Sequence, residues 1–157
     1  HRIVTTAGEQ TMPLQPAFLG YVGSAKTDVT GDGTAYTVIF DSEVFDQNAD
    51  FNTSTGAFTA PVTGKYQLNA VLLLNQLAAA HTVIVLAIVT SNRTYEVFAI
   101  NGTARDGSNN MIVNGSILAD MDAADTATVR ITVFNGTKVV DVGSTLYDST
   151  FSGFLAC

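Results

Sequence analysis

Two histidines, one cysteine and fourteen acidic residues are the chain's main resources for acid–base, nucleophilic or metal chemistry. His1 is terminal and His81 lies in an apolar stretch, so a Ser-His-Asp triad would have to be built on His81. No G-x-S-x-G elbow accompanies it. Zinc needs clustered His and Cys, and the sequence has none. Gly31-Asp32-Gly33 is followed by Thr34, Ala35 and Tyr36, not by the Gly-Lys-Ser/Thr of a phosphate cradle. Asp41, Glu43, Asp46 and Asp50 could pair carboxylates for sugar hydrolysis, but carboxylates spaced along one strand more simply form a solvated face. The stretch from Asp28 to Gly33 lacks the twelve-position spacing and closing Glu of a calcium loop and reads as a turn. Asp120, Asp122 and Asp125 form a second acidic group in a loop. The expectation is a protein that is not an enzyme, with no cofactor and no metal site.

Composition bounds the alternatives. The 157 residues amount to one domain. A formal net charge of −7 disfavours nucleic acid and anionic membrane surfaces, which call for a basic stripe. Charged residues make up only 13%, about half the usual share, so Thr, Ser, Asn and Gly must cover the surface. A disulfide framework is excluded because Cys157 is the only cysteine; it reads as a small buried residue. The chain begins at His1-Arg2-Ile3-Val4 and reads as a piece of something longer, with residues 1–13 a lead-in and 14–157 the domain.

The elements are strands. Residues 70–89 are nearly long enough to span a bilayer, but Asn75, Gln76, His81 and Thr82 interrupt them. Alternation through Tyr66, Leu68, Ala70, Leu72 and Leu74, then the β-branched run after Thr82, fit two strands around a 75–80 connection. No membrane insertion is expected. Turn dipeptides recur at Asp32-Gly33, Thr55-Gly56, Asn101-Gly102, Asp106-Gly107, Asn114-Gly115 and Asn135-Gly136. Val129, Ile131 and Val133 alternate with Thr128, Arg130 and Thr132. Short strands with regular turns mean an all-β sandwich or barrel. Residues 71–74 and 83–89 are apolar on both faces, and the simplest cover for the second face is another copy of the chain. Val71, Leu73, Ile84, Leu86 and Ile88 are therefore the expected interface.

A resemblance sharpens this reading. Phe40-Asp41-Ser42-Glu43-Val44-Phe45, then Asn48, Phe51 and Thr55-Gly56-Ala57-Phe58 through Pro61, Gly64 and Tyr66, resemble the signature of the complement C1q globular-head family within the tumour-necrosis-factor-like superfamily. Thr150-Phe151-Ser152-Gly153-Phe154 is similar to that family's closing strand, and Pro16-Ala17-Phe18 to its opening one. Ala124-Asp125 stands where a Gly-Asp is usual. The stretch from Asp28 to Phe40 is similar to distal modules of phage tail fibres. The resemblance implies a ten-strand jelly roll forming a homotrimer at the end of a fibrous stalk, on a virion or extracellular. Phe40, Phe45, Phe58, Tyr66, Phe151 and Phe154 then read as core aromatics, and Gly56, Gly64 and Gly153 as turn or close-packing positions.

Antiparallel parity gathers alternate loops at one end. Connections near 24–34, 75–80, 103–110 and 135–148 should share an apex, where polar, Gly-rich tips suit binding. Arg105, Asp106, Asn109, Asn110, Lys138 and Tyr147 are the expected contacts for a host surface receptor, glycan or protein. The alternative is a secreted recognition or signalling module of the same family.

Overall fold

The computed structural model describes residues 3–4, 10–11, 14–143 and 147–157. Most of the lead-in, including His1, lies outside them. In chain order the strands are β1 (Ile3–Val4), β2 (Gln10–Thr11), β3 (Ala17–Tyr21), β4 (Lys26–Thr30), β5 (Ala35–Thr37), β6 (Ser42–Gln47), β7 (Phe51–Asn52) and β8 (Ala57–Thr59). There follow β9 (Gly64–Asn75), β10 (Val83–Thr90), β11 (Thr94–Ile100), β12 (Met111–Met121), β13 (Thr126–Phe134), β14 (Val140–Val142) and β15 (Thr150–Leu155). The one helical turn among the described residues is a 3₁₀ turn, Gly102–Ala104.

Two sheets face each other. One has seven strands in the order β4-β14-β9-β15-β3-β6, with β12 on the other edge of β9. The second has six, in the order β11-β10-β13-β8-β7, with β5 also on β13. The sandwich is the jelly roll expected, cut into more pieces than ten. The reason lies in β9 and β13, which are long enough for two partners along one edge. β15 pairs with residues 66–71 of β9 and β14 with residues 74–75. β8 pairs with residues 126–127 of β13 and β5 with residues 130–132.

Alternation sends one face of each strand inward. Tyr66, Leu68, Ala70, Leu72 and Leu74 of β9 meet Val129, Ile131 and Val133 of β13 in a core closed by Phe18, Phe40, Phe58 and Phe151. Phe18 stacks on Phe58 with ring centroids 4.6 Å apart, and Phe151 stands edge-on to Phe18 at 5.0 Å. The stretch at 70–89 is two strands, β9 and β10, as the interrupting polar residues indicated. No helix of the described residues is long and apolar enough to cross a membrane.

Five expectations change. Ile84, Leu86 and Ile88 are wholly buried between the chain's own two sheets. They have no surface to offer another copy. Where a strand is apolar on both faces, the pattern does not reveal which face is the core. Phe45 and Phe154 are 49% and 44% exposed, on the outer face of the seven-stranded sheet, and are not core aromatics. Asn114-Gly115 is no turn but lies inside β12, where Gly115 lets Val97 of β11 approach: a Cβ there would stand 2.6 Å from the Val97 Cβ. Cys157 is a free thiol and exposed. In sequence Tyr95, Val97 and Ala99 alternate with Thr94, Glu96 and Phe98, but a bulge opposite Leu86/Ala87 breaks that alternation in β11 and leaves Val97 and Phe98 both half-buried.

The two outer faces differ. On the six-stranded sheet, Thr128, Arg130 and Thr132 of β13 run beside Ala87 of β10 and Glu96 of β11, a mixed polar face. On the seven-stranded sheet, register aligns Asn114, Val71, Thr150 and Tyr21 in one row, and Ser116, Asn69, Ser152, Leu19 and Phe45 in the next. Neither row contains a charge. Ile112 and Leu118 of β12 are 54% and 51% exposed beside them.

Candidate functional site: the apex loops

The loops expected at one end do meet there. The Gly136 N–H donates to the Gly31 carbonyl at 2.9 Å, joining the β13–β14 and β4–β5 connections. The Leu77 N–H donates to the Asn109 carbonyl at 2.9 Å, and the Asn75 Nδ2 to the Asn110 Oδ1 at 2.8 Å, joining the β9–β10 and β11–β12 connections. The Asn135 Nδ2 donates to the Thr82 Oγ1 at 2.7 Å. Asp141 accepts from the Asp28 N–H and from the Gln76 Nε2. β14 splits the expected 135–148 connection in two, and residues 144–146, between β14 and β15, lie outside the described residues.

At the centre stands His81, with no exposed surface. Its Nδ1 accepts the Ala78 N–H at 2.8 Å, and its Nε2 lies 3.0 Å from the Thr137 carbonyl. A carbonyl only accepts, so Nε2 carries the proton and the ring is the neutral Nε2–H tautomer. Gly136 packs its α-carbon against the ring, and Gly31 lies against both the ring and Thr137; a Cβ on either would collide. The sequence reading placed His81 between two strands but missed this role. The available signal was one polar ring in an apolar stretch, with Gly31 and Gly136 in the other loops.

The tip of the β11–β12 connection is built by Asp106. Its Oδ1 accepts the N–H of Ser108 and of Asn110, each at 2.8 Å, while its own N–H donates to the Asn110 carbonyl at 2.8 Å. This loop of bonds turns the chain through Asn109, whose φ of 64° is tolerated by Asn. The Arg105 Nε donates to the Asn109 Oδ1 at 2.9 Å. Arg105, Asp106, Asn109 and Asn110 therefore form one unit. Lys138 is exposed on the β13–β14 connection beside Thr137, and its charge adds a small lowering effect on the Asp32 carboxyl. Tyr147 is 56% exposed, its ring edge-on to Tyr21 with centroids 4.7 Å apart.

A crevice of about 610 Å³ opens beside the tip, lined by Leu73, Ala104, Asp106, Asn110, Met111, Ile112 and Asp148. It sets two carboxylates and an amide above an apolar floor. Such a lining accepts hydroxyl and amide hydrogens and packs on C–H surface; it holds no nucleophile–base pair. Asp148 was missed because it closes a connection rather than standing in a recognisable motif. The other carboxylate groups are structural. Thr34 hydrogen bonds, from hydroxyl first and then amide, hold the Asp32 carboxyl below its ordinary range in the turn once compared with a calcium loop. Asp120 pairs with both guanidinium nitrogens of Arg93, at 2.9 and 3.0 Å. Asp125 Oδ2 accepts from Asn92 and from the Asp122 N–H. Among the described residues no group of three or more His, Cys, Asp or Glu is placed to hold a metal.

The two-sheet jelly roll with its loops gathered at one end places the chain in a class of β-sandwich modules. Residues 21–156 match the C1q domain, and the chain belongs to that family. Its fold is similar to the globular domain of zebrafish complement 1qA protein, at 18% identity and a TM-score of 0.62, covering 91% of this chain and 98% of that one. It is also similar to murine APRIL, of the tumour-necrosis-factor family, at 11% identity and a TM-score of 0.61, covering 90% and 98%. No curated protein matches the chain. C1q-like domains are non-catalytic, typically extracellular and typically homotrimeric modules that bind partner proteins.

Proposed function

We propose that this chain is a recognition module that assembles as a homotrimer and presents its apex loops to a ligand on a host surface, glycan or protein. The observation that carries this reading is the split of the surface into two unlike regions. The outer face of the seven-stranded sheet has two rows without a charge, flanked by exposed Ile112, Leu118, Phe45 and Phe154. An uncharged face that exposes several large apolar side chains marks an interaction surface, and in a chain of this family a second and third copy are its natural cover. Val71 and Leu73 remain in that interface; Ile84, Leu86 and Ile88 leave it. The apex is polar and locked by hydrogen bonds, so its side chains are held in place before any ligand arrives. Three copies then add avidity to a weak single contact.

The setting we propose is the tip of a virion fibre such as a phage tail fibre, where the module would both register three chains and meet the host. The resemblance of residues 28–40 to such tips supports it. Light scattering on a sizing column tests the assembly: a mass near three times 16.5 kDa is expected, and a stable monomer overturns the interface. Binding of the purified trimer to candidate host cells tests the setting. Binding to animal cell-surface proteins and to no bacterial surface would favour the secreted reading, which the family's usual location supports.

A further inference from the structure

We infer that His81 is a proton-controlled latch on the apex, so that recognition by these loops is released in mild acid. The inference rests on the apex being the recognition surface. It starts from the ring's two bonds. A neutral imidazole can accept the Ala78 N–H on Nδ1 while donating from Nε2 to Thr137. A ring with two protons donates from both nitrogens. Its Nδ1–H then faces the Ala78 N–H, donor against donor, and that bond is lost.

The ring has nowhere to take the charge. It is wholly buried, and a buried charge needs a partner. The β9–β10 connection that carries it, residues 76–82, contains no Asp, Glu, Lys or Arg. Of the elements around it, β4 and the β4–β5 connection carry Asp28 and Asp32, the β13–β14 connection and β14 carry Lys138 and Asp141, and the β11–β12 connection carries Arg105 and Asp106. None bonds the ring among the described residues. Asp32 is engaged by Thr34, Asp106 by the tip amides, and both oxygens of Asp141 by Asp28 and Gln76. The glycines at 31 and 136 are packed so closely on the imidazole that it cannot slide toward a carboxylate without opening the loops.

The loop so released is the one that holds the recognition tip. Leu77 and Asn75 carry the bonds to Asn109 and Asn110, one residue on either side of the Gln76 that bonds Asp141. Without the Nδ1 bond, Ala78 is tied to His81 only by the His81 backbone N–H to its carbonyl at 3.1 Å, and the segment that supports the tip from β9 loosens.

Hydrogen exchange followed by NMR on the intact chain tests this without any ligand. Between pH 7.5 and 5.0, after correction for intrinsic rates, the Leu77 and Ala78 amides should lose protection by about tenfold or more, the worth of one hydrogen bond, while Leu68 and Ile131 in the sheets do not. The loss should track the ring nitrogen shifts of His81. The inference is overturned if the ring takes its second proton with Leu77 and Ala78 still protected, or if it stays singly protonated down to the pH at which the sheets themselves open. His81→Gln keeps an acceptor and a donor without titrating; its loop protection should be flat over the same range. An apex that binds nothing leaves these exchange results unchanged, so failure of the recognition reading and failure of the latch are separable.

Discussion

Asp46 holds Asp50 in place with one oxygen and repels it with its charge. Its Oδ1 accepts the Asp50 N–H at 3.1 Å, and its Oδ2 accepts the Phe51 N–H at 2.9 Å, closing the turn after β6. The Asp50 Oδ2 is buried with no partner among the described residues. Burial first, and the Asp46 charge second, push the Asp50 carboxyl above its ordinary value, against a smaller effect of the Asn48 side chain. A raised value in the folded state favours the protonated acid. Its contribution to stability is therefore present below the unfolded value and is lost as pH rises through the folded one. At neutral pH the ionised group is a net cost. Asp50→Asn should stabilise the fold by about 1 kcal/mol at pH 7, a few degrees in Tm, and by nothing at pH 3. Thermal melts at the two pH values measure this.

Asp41 behaves in the opposite sense. Burial is the largest single influence and raises its carboxyl, but the Lys26 hydrogen bond, the Gly23 N–H and the Lys26 charge together outweigh it and leave the group below its ordinary value. The Lys26 Nζ and the Gly23 N–H each lie 2.6 Å from it. Stability from this group is present above the unfolded value and is lost as pH falls through the depressed folded value. Asp41→Asn should cost about 1 kcal/mol at pH 7, shrinking to nothing in strong acid. Equilibrium urea unfolding across that range checks the sign.

Gly115 and Val97 predict a repairable clash. Gly115→Ala should destabilise by about 1–3 kcal/mol through overpacking. Val97→Ala in the same chain should recover part of the loss, and a double-mutant cycle on unfolding free energies reads the coupling.

Assembly and folding should separate by strand face. Ile112→Lys with Leu118→Lys should take the light-scattering mass to that of a single chain while the β-sheet circular dichroism persists. Ile88→Ala, wholly inside the sandwich, should cost about 2–5 kcal/mol whatever the assembly state.

Asp106→Ala removes the acceptor for two tip amides. Exchange protection at Ser108 and Asn110 should collapse and host-surface binding should fall, with the trimer mass unchanged.

The recurrent Gly dipeptides and the polar break at 75–82 made the sandwich and its apex readable, because tight turns and loss of alternation are local properties of the chain. Asn114-Gly115 misled for the same reason. An Asn-Gly pair is a strong local turn signal, but here Gly is required by a neighbouring strand that sequence distance hides. The face of β10 that looks inward was equally hidden, since both faces are apolar and only the register with β13 decides. Of the expected contacts, Arg105, Asp106, Asn109 and Asn110 came together because they share one loop. Lys138 lies on a different loop, the β13–β14 connection, whose distance from the tip no local pattern encodes.

β9 joins the two ends of the molecule. At its base Lys65 exchanges backbone bonds with the chain terminus, its N–H to the Cys157 carbonyl and its carbonyl to the Ala156 N–H, each at 2.7 Å. At its top Asn75 holds the tip at Asn110. Lys65 and Asn75 lie near the two ends of this strand, roughly 33 Å apart along extended backbone. Its ladder bonds to β12 and β15 run across that axis. A tug on the apex therefore loads those rungs in shear, many at once, instead of peeling them singly. The strand that organises the fold also makes it a strong tether, one that resists traction from a bound surface better than its thermal stability alone would indicate.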